Sequence, residues 1–158
     1  MWCYGRGGLG VSVVWTKCIQ LLRQSADLGF QGAQFQLGNL YHFGEMGLEQ
    51  NEEEAFKYWE QAAENGDLIA RHKLGMREGG NGNMVAAMRH WRLSASGGFT
   101  DSMASLIGCF ERGWLYHGDL AETLQAFYRS RAEMRSDERD AYIKFLKSIG
   151  EYDEEYDM

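Results

Sequence analysis

Apolar residues recur along this chain at intervals of three and four, which is the spacing of one face of an α-helix. The recurring positions in two neighbouring segments are Ala33, Leu37, Leu40, Tyr41, Gly44, Ala55, Tyr58, Trp59, Ala62 and Ala63. No Pro interrupts the pattern anywhere in the sequence. The spacing predicts about eight helices, near 11–28, 31–43, 51–64, 67–77, 84–96, 101–112, 119–133 and 136–149.

Polar residues stand where several of these helices are predicted to begin. Asn51 with Glu54, and Asp119 with Glu122, have the spacing of a capping box, in which side chains bind the free amides of the first helical turn. Ser136 precedes two acidic residues in the same manner. These signals predict helix starts close to residues 51, 119 and 136.

The helical pattern repeats, with two segments around a turn in each copy. Residues 33–66 match residues 70–98 at an offset of 37 in the first segment and of 32 in the second. The paired residues are Ala33 with Ala70, Leu37 with Leu74, Gly38 with Gly75, Ala55 with Ala87, Trp59 with Trp91, Ala63 with Ala95 and Gly66 with Gly98. The second copy lacks five residues in a segment rich in turn formers, so its loop is predicted to be shorter.

A weaker third copy has Leu106 and Phe127 at repeat positions and Ile107 where the others have Gly. We divide one solenoid domain, 1–158, into the second helix of a partial repeat (11–31), repeat 1 (32–66), repeat 2 (67–98), degenerate repeat 3 (99–134), a C-terminal capping helix (135–150) and an acidic tail (151–158). A two-helix unit cannot bury both of its faces alone, so consecutive pairs are expected to stack. The predicted fold is all-α, a right-handed α-solenoid of stacked antiparallel helix pairs with an open concave side.

The motif A-x-x-x-L-G-x-x-Y-x-x-G, followed by A-x-x-Y-W-x-x-A-A-x-x-G, resembles the Sel1-like repeat, a relative of the tetratricopeptide repeat. Its residues are Ala33, Leu37, Gly38, Tyr41, Gly44, Ala55, Tyr58, Trp59, Ala62, Ala63 and Gly66. The resemblance implies a non-catalytic scaffold or adaptor that binds a peptide or protein segment on its concave face. It also implies a monomer or a fragment of a longer array.

Two alternatives stay open. In some relatives similar arrays follow a zinc-binding RING-type domain, so one alternative is a substrate-recruiting fragment of a longer protein associated with a ubiquitin ligase. The other is a hydrolase-type enzyme that uses a groove residue as nucleophile or base. A bacterial branch of the family has a Cys pair in each repeat and binds or hydrolyses β-lactams; this chain lacks such pairs.

Charge and cysteine content narrow the possible classes of partner, site and location further. The chain has 16 Lys and Arg against 23 Asp and Glu, a net charge of −7, so a nucleic-acid partner has no support. No stretch approaches the roughly 18 apolar residues that a membrane span needs. Cys3, Cys18 and Cys109 have no CxxC spacing, which argues against disulfides and zinc and favours an intracellular, cytoplasmic location. Five acids lie in the tail 151–158, which is expected to be solvated, with a docking tail as the alternative.

No metal, cofactor or catalytic residue is predicted. The four histidines, His42, His72, His90 and His117, form no HExxH motif and no close ligand pair with a cysteine. Three consecutive acids from Glu52 to Glu54 stand at a predicted helix start, where carboxylates stabilise the helix dipole.

The resemblance also selects partner-binding residues, by analogy with tetratricopeptide geometry. Residues expected in the concave groove are Asn39, His42, Phe43, His72, Met76, Glu111 and Arg112. An exposed Phe and Met beside polar groups would suit a peptide.

Charge alternates between the repeats. Residues 32–66 carry seven acids and one Lys, whereas residues 67–98 carry five basic residues and two acids. Two interpretations follow. Basic residues such as Arg71, Lys73 and Arg77 pair with the preceding repeat across the stack, or Arg71, Arg77 and Arg112 steer an acidic peptide into the groove.

Overall fold

Seven helices make up residues 9–149, the part of the chain that the structure, a computed structural model, describes. They are α1 (Leu9–Asp27), α2 (Gln31–Phe43), α3 (Glu52–Glu64), α4 (Leu68–Gly80), α5 (Met84–Ser96), α6 (Thr100–Glu111) and α7 (His117–Ile149). No strand occurs among these residues, so the predicted all-α class is confirmed. Cys3 and the acidic tail lie outside the described residues.

The chain divides into two compact units, Met1–Ser94 and Ala95–Met158. In the first unit α2 packs against both α1 and α3, and α3 packs in turn against α4. Two apolar clusters fill the spaces between these helices. The buried members of the cluster between α1 and α2 are Ile19, Ala26, Leu37 and Leu40, and those of the cluster around α3 and α4 are Phe56, Trp59, Ala62, Ala63, Ala70 and Leu74.

Each of the first two helix pairs is closed by a tryptophan that lies on a glycine. Trp59 of α3 is 2% exposed and its indole lies where a side chain on Gly38 of α2 would be. Trp91 of α5 is 7% exposed and lies in the same way against Gly75 of α4. The two tryptophans therefore occupy equivalent surroundings, as the repeat pattern predicts.

A second equivalence involves polar residues of the first helices. The Gln34 side-chain amide donates to the carbonyl oxygen of Ala26, at the end of α1, over 3.0 Å. At the 37-residue offset, Arg71 of α4 donates to the carbonyl oxygen of Ala63, near the end of α3. Since the last carbonyls of a helix have no partner inside the helix, both side chains tie a first helix to the helix before it.

The predicted cap of α3 forms as expected, and α4 has a cap of the same kind. Asn51 Oδ1 accepts a hydrogen bond of 3.1 Å from the Glu54 amide, and Asp67 Oδ1 accepts one of 2.7 Å from the Ala70 amide. The loop between α4 and α5 comprises residues 81–83, against 44–51 between α2 and α3, so the predicted loop shortening is confirmed.

The second unit contains the main difference from the sequence-based prediction. The predicted helix break between residues 133 and 136 is wrong, because α7 runs without interruption from His117 to Ile149. It also begins two residues before the predicted start at 119. Ser136 has the residue type of a cap, but no Gly or Pro stands near it to turn the chain, and the surrounding Arg, Glu and Met favour helix. A capping residue alone does not start a new helix.

Candidate protein-binding surface

Helices α2 and α4 in the first unit carry large apolar side chains that are exposed to solvent. Phe43 is 60% exposed, Met76 57% and Ile69 44%. Polar and charged residues of the same two helices lie beside them, and we call the whole set the first-helix surface. Its residues are Asn39, His42, Phe43, Ile69, Lys73, Met76 and Arg77.

His42 connects the exposed part of this surface to the core. Its ring centroid lies 4.7 Å from that of Phe43 and 5.1 Å from that of Trp59. Its Nδ1 lies 3.6 Å from Glu52 Oε1, at the start of α3. Nδ1 of His42 and Oδ1 of Asn39, one turn earlier, are both buried and accept no hydrogen bond. The predicted groove residues of α2 therefore do lie together.

The cations of α4 lie on aromatic rings of α3. Lys73 Nζ is 4.5 Å from the ring centroid of Trp59, and Arg77 Cζ is 3.9 Å from that of Phe56. The two cations are four residues apart and share one face of α4. Lys73 and His42 thus contact the same indole from two different helices. The charge interpretations of the sequence missed Lys73 as a surface residue, and its (i, i+4) spacing with Arg77 was the available signal.

The predicted pairing of basic residues with the Glu-rich repeat is wrong for Arg71, Lys73 and Arg77. None of the three forms an ion pair with any residue that the structure describes. Arg71 donates to a backbone carbonyl, and the other two lie on aromatic rings. Side chains of α4 meet the buried face of α3, where carboxylates are absent, because its glutamates lie on the first turn and on the solvent side.

Two other α4 residues that were predicted to contact a partner, Arg71 and His72, are engaged by neighbouring helices. Arg71 is half-buried and held by its bond to the end of α3, so its guanidinium is a structural tie. His72 is also half-buried and its ring lies 6.4 Å from Trp91, towards α5.

Glu111 and Arg112 belong to the second unit. Both are exposed at the end of α6, and the Arg112 guanidinium lies 5.4 Å from the ring centroid of Trp114. Ile107, at the position of Gly38 and Gly75, is 41% exposed, so this helix pair lacks the buried contact between Gly and Trp.

A polar cluster between α4 and α5 surrounds His90. Burial lowers the pKa of His90, and the positive charges of Arg71 and Arg89 lower it further, while Glu78 and Glu60 oppose them. Its Nδ1 is buried without a hydrogen-bond partner. His90 is therefore held in its neutral form at physiological pH.

Groups for catalysis or metal binding are scarce in the described part of the chain. No set of three or more His, Cys, Asp and Glu side chains there is placed to hold a metal ion. The His42 to Glu52 distance of 3.6 Å exceeds the roughly 2.6–3.2 Å of a catalytic hydrogen bond. Burial raises the pKa of the Cys109 thiol, against a smaller lowering by Arg112, and so disfavours the nucleophilic thiolate.

Helix α1 presents a second apolar surface. Val13, Val14, Leu21 and Leu28 are all more than half exposed. Between residues 9 and 149, no helix is both long and apolar enough to cross a membrane.

Comparisons with known proteins find the same repeats that the sequence pattern shows. The family model described as "Sel1 repeat" matches residues 2–30, 32–67 and 68–99. The "Chitin synthase regulator SKT5" of Saccharomyces cerevisiae is 41% identical over 64 residues, which are 40% of this chain and 9% of the yeast protein. The crystal structure of a Sel1 repeat protein from Oxalobacter formigenes superposes with a TM-score of 0.54 and 25% identity, covering 78% of this chain and 54% of that one. The chain thus spans less than a tenth of the yeast regulator and about half of the bacterial protein.

Proposed function

Because the chain belongs to the Sel1 repeat family, whose repeats generally mediate protein–protein interaction, we propose that it is a non-catalytic adaptor that binds a partner segment on the first-helix surface. The observation that carries the proposal is the exposure of Phe43, Ile69 and Met76 on the same face as two cations. Exposed apolar residues bordered by polar groups are typical of a protein-binding site.

The energetics favour a few anchoring residues. Fully burying one large apolar side chain contributes about 1.5–3 kcal/mol. Covering the exposed parts of Phe43 and Met76 contributes part of that for each residue, against the entropy cost of association. Phe43 is held by the edge of the His42 ring, 4.7 Å between centroids, so little side-chain entropy is lost when a partner covers it. An aromatic anchor supported by a half-buried neighbour is typical of binding hot spots.

The similarity to the yeast regulator supports an adaptor role and does not identify the partner. That protein is described as a regulator of chitin synthase. We extend to this chain only the general role, in which the repeats bind another protein without catalysing a reaction.

Affinity capture from cell lysate, quantified against matched variants, tests the proposal. The double variant Phe43→Ser with Met76→Ser removes the two anchors, and Val85→Ser, at a site 78% exposed on α5, removes apolar surface elsewhere. We expect the captured proteins of wild type to be retained by Val85→Ser and lost by the double variant, with unchanged helical circular dichroism in both. If the double variant captures the same proteins in the same amounts as wild type, the proposed surface is wrong.

A further inference from the structure

The two cations of the first-helix surface have no counter-charge within the described residues. Lys73 and Arg77 form no ion pair, although acids are numerous in the preceding repeat. Of the acids at the start of α3, Glu52 faces His42 and Glu54 lies 3.7 Å from Lys57. Two like charges at (i, i+4) repel each other, so their placement is unfavourable for the isolated helix.

Aromatic contact stabilises these cations without using their hydrogen bonds. The ring faces of Trp59 and Phe56 attract the positive charges electrostatically. A ring face accepts no strong N–H hydrogen bond, so the donors of the ammonium and the guanidinium remain free for a bound acceptor.

Partial burial makes Lys73 the stronger of the two recognition groups. It is half-buried, and burial lowers the pKa of its ammonium. Folding has therefore already removed part of the water that would compete with a ligand, and an anion that binds there restores the favourable environment of the charge.

We propose that the partner segment presents Asp or Glu carboxylates to Lys73 and Arg77, next to an apolar side chain that covers Met76. This inference rests on the proposed function and adds the chemistry of the partner. Charge complementarity selects the occupant, because an acidic and apolar segment satisfies both the two cations and the exposed Met76 of the same helix.

The binding of a synthetic peptide that alternates glutamate with leucine, labelled and followed by fluorescence anisotropy, tests the proposal on the full chain. Its glutamine counterpart keeps the leucines and removes the charges. We expect the glutamate peptide to bind roughly 10-fold more tightly than the glutamine peptide, and more weakly as salt rises. Inorganic phosphate at millimolar concentration is expected to leave binding unchanged.

Variants of the two cations separate their charge from their packing. Lys73→Met and Arg77→Met are each expected to weaken the glutamate peptide roughly 3-fold and to leave the glutamine peptide unaffected. Lys73→Arg and Arg77→Lys keep the charge and should keep the binding. Arg89→Met, at an exposed position on α5, is the control and should bind as wild type.

The outcomes distinguish this inference from the proposed function. Equal binding of the two peptides, no binding of the glutamate peptide, displacement by phosphate, or equal losses in the Arg89 control would each overturn the acidic partner. In all of these cases the proposed function stands if Phe43→Ser with Met76→Ser still abolishes capture. It fails separately if that double variant captures as wild type does.

Discussion

Gly38 shows how one residue positions a whole helix pair. The Trp59 indole occupies the space that any side chain at this position would need, and the same holds for Trp91 at Gly75. A ring this large adds about 150–250 Å² of buried area, which is a large part of the apolar burial of a two-helix unit. The absence of a side chain on the first helix is therefore what admits the largest side chain of the second.

Replacing Gly38 with Ala should destabilise the protein by about 1–3 kcal/mol, because the new methyl group overlaps the indole of Trp59. Gly32→Ala is the matched control in the same helix, since nothing lies within 4 Å of the position of its new methyl group. That control should stabilise by up to about 1 kcal/mol through helix propensity. Urea denaturation followed by circular dichroism measures both, and equal changes would contradict close packing at Gly38.

His90 should make stability depend on pH in a stated direction. Its pKa is lowered in the folded state by burial, Arg71 and Arg89. The unfolded chain therefore takes up the proton first, near its usual pKa of about 6.5. The contribution of His90 to stability is fully present above that pH, and it is lost as pH falls towards the lower folded-state pKa.

Denaturation midpoints at pH values of about 7.5 and 5.5 measure this effect. His90→Gln should reduce the loss of stability on acidification, because no histidine then titrates at this site. His117→Gln, at an exposed position, is the control and should behave as wild type. A wild-type pH dependence in His90→Gln would show that His90 does not contribute.

At the scale of elements, local signals succeed where the chain must turn and fail where it does not. Gly66 has φ +97°, in the left-handed region that favours glycine, and Asp67 caps the next helix, so this boundary was predictable. At residue 136 a capping residue is present without a turn former, and α7 continues through it. A boundary between two helices needs both a turn former that ends the first helix and a capping residue that starts the second.

Asp137→Pro tests the continuity of α7 directly. If a helix began at Ser136, residue 137 would be its first position, where Pro is well tolerated. In an uninterrupted helix the same Pro removes a hydrogen bond and clashes with the preceding turn, at a cost of about 3 kcal/mol. We expect a marked loss of ellipticity and stability, with Asp137→Ala as the control. Wild-type behaviour of the proline variant would support two helices.

At the scale of the whole molecule, charge contributes little to holding the first two repeats together. The repeats have opposite net charge, yet Arg71, Lys73 and Arg77 contact a carbonyl and aromatic rings within the described residues. The chain as a whole has a net charge of −7, which disfavours the compact state through self-repulsion.

Added salt should therefore leave the melting temperature unchanged or raise it. Screening weakens exposed ion pairs, each of which contributes only about 0–1 kcal/mol, and it also weakens the repulsion among the excess acids. Thermal unfolding in low and high NaCl, at constant pH, measures the difference. A clear fall in melting temperature with salt would show that ion pairs across the stack do hold the repeats together.

Much of the candidate surface followed from the sequence, and part of it did not. Asn39, His42, Phe43 and Met76 were predicted from the resemblance to tetratricopeptide geometry, and their role in binding stays a prediction. Lys73 was not among the predicted binding residues and Arg71 was, because sequence gives the charge of a side chain but not the atom it meets. Only the packed neighbours show that Arg71 ends at a carbonyl of Ala63 and Lys73 at the ring of Trp59.

The sequence by itself determined most of the elements and their repetition, since helical periodicity and capping act over one or two turns, and the same Gly and Trp positions recur in both repeats. The tertiary structure alone decided which charges are satisfied, that α7 continues past residue 133, and which apolar residues stay exposed. The physical reason is the separation along the chain of the residues that interact. Helix formation and capping depend on neighbours along the chain, whereas burial and ion pairing depend on residues that approach only when helices pack.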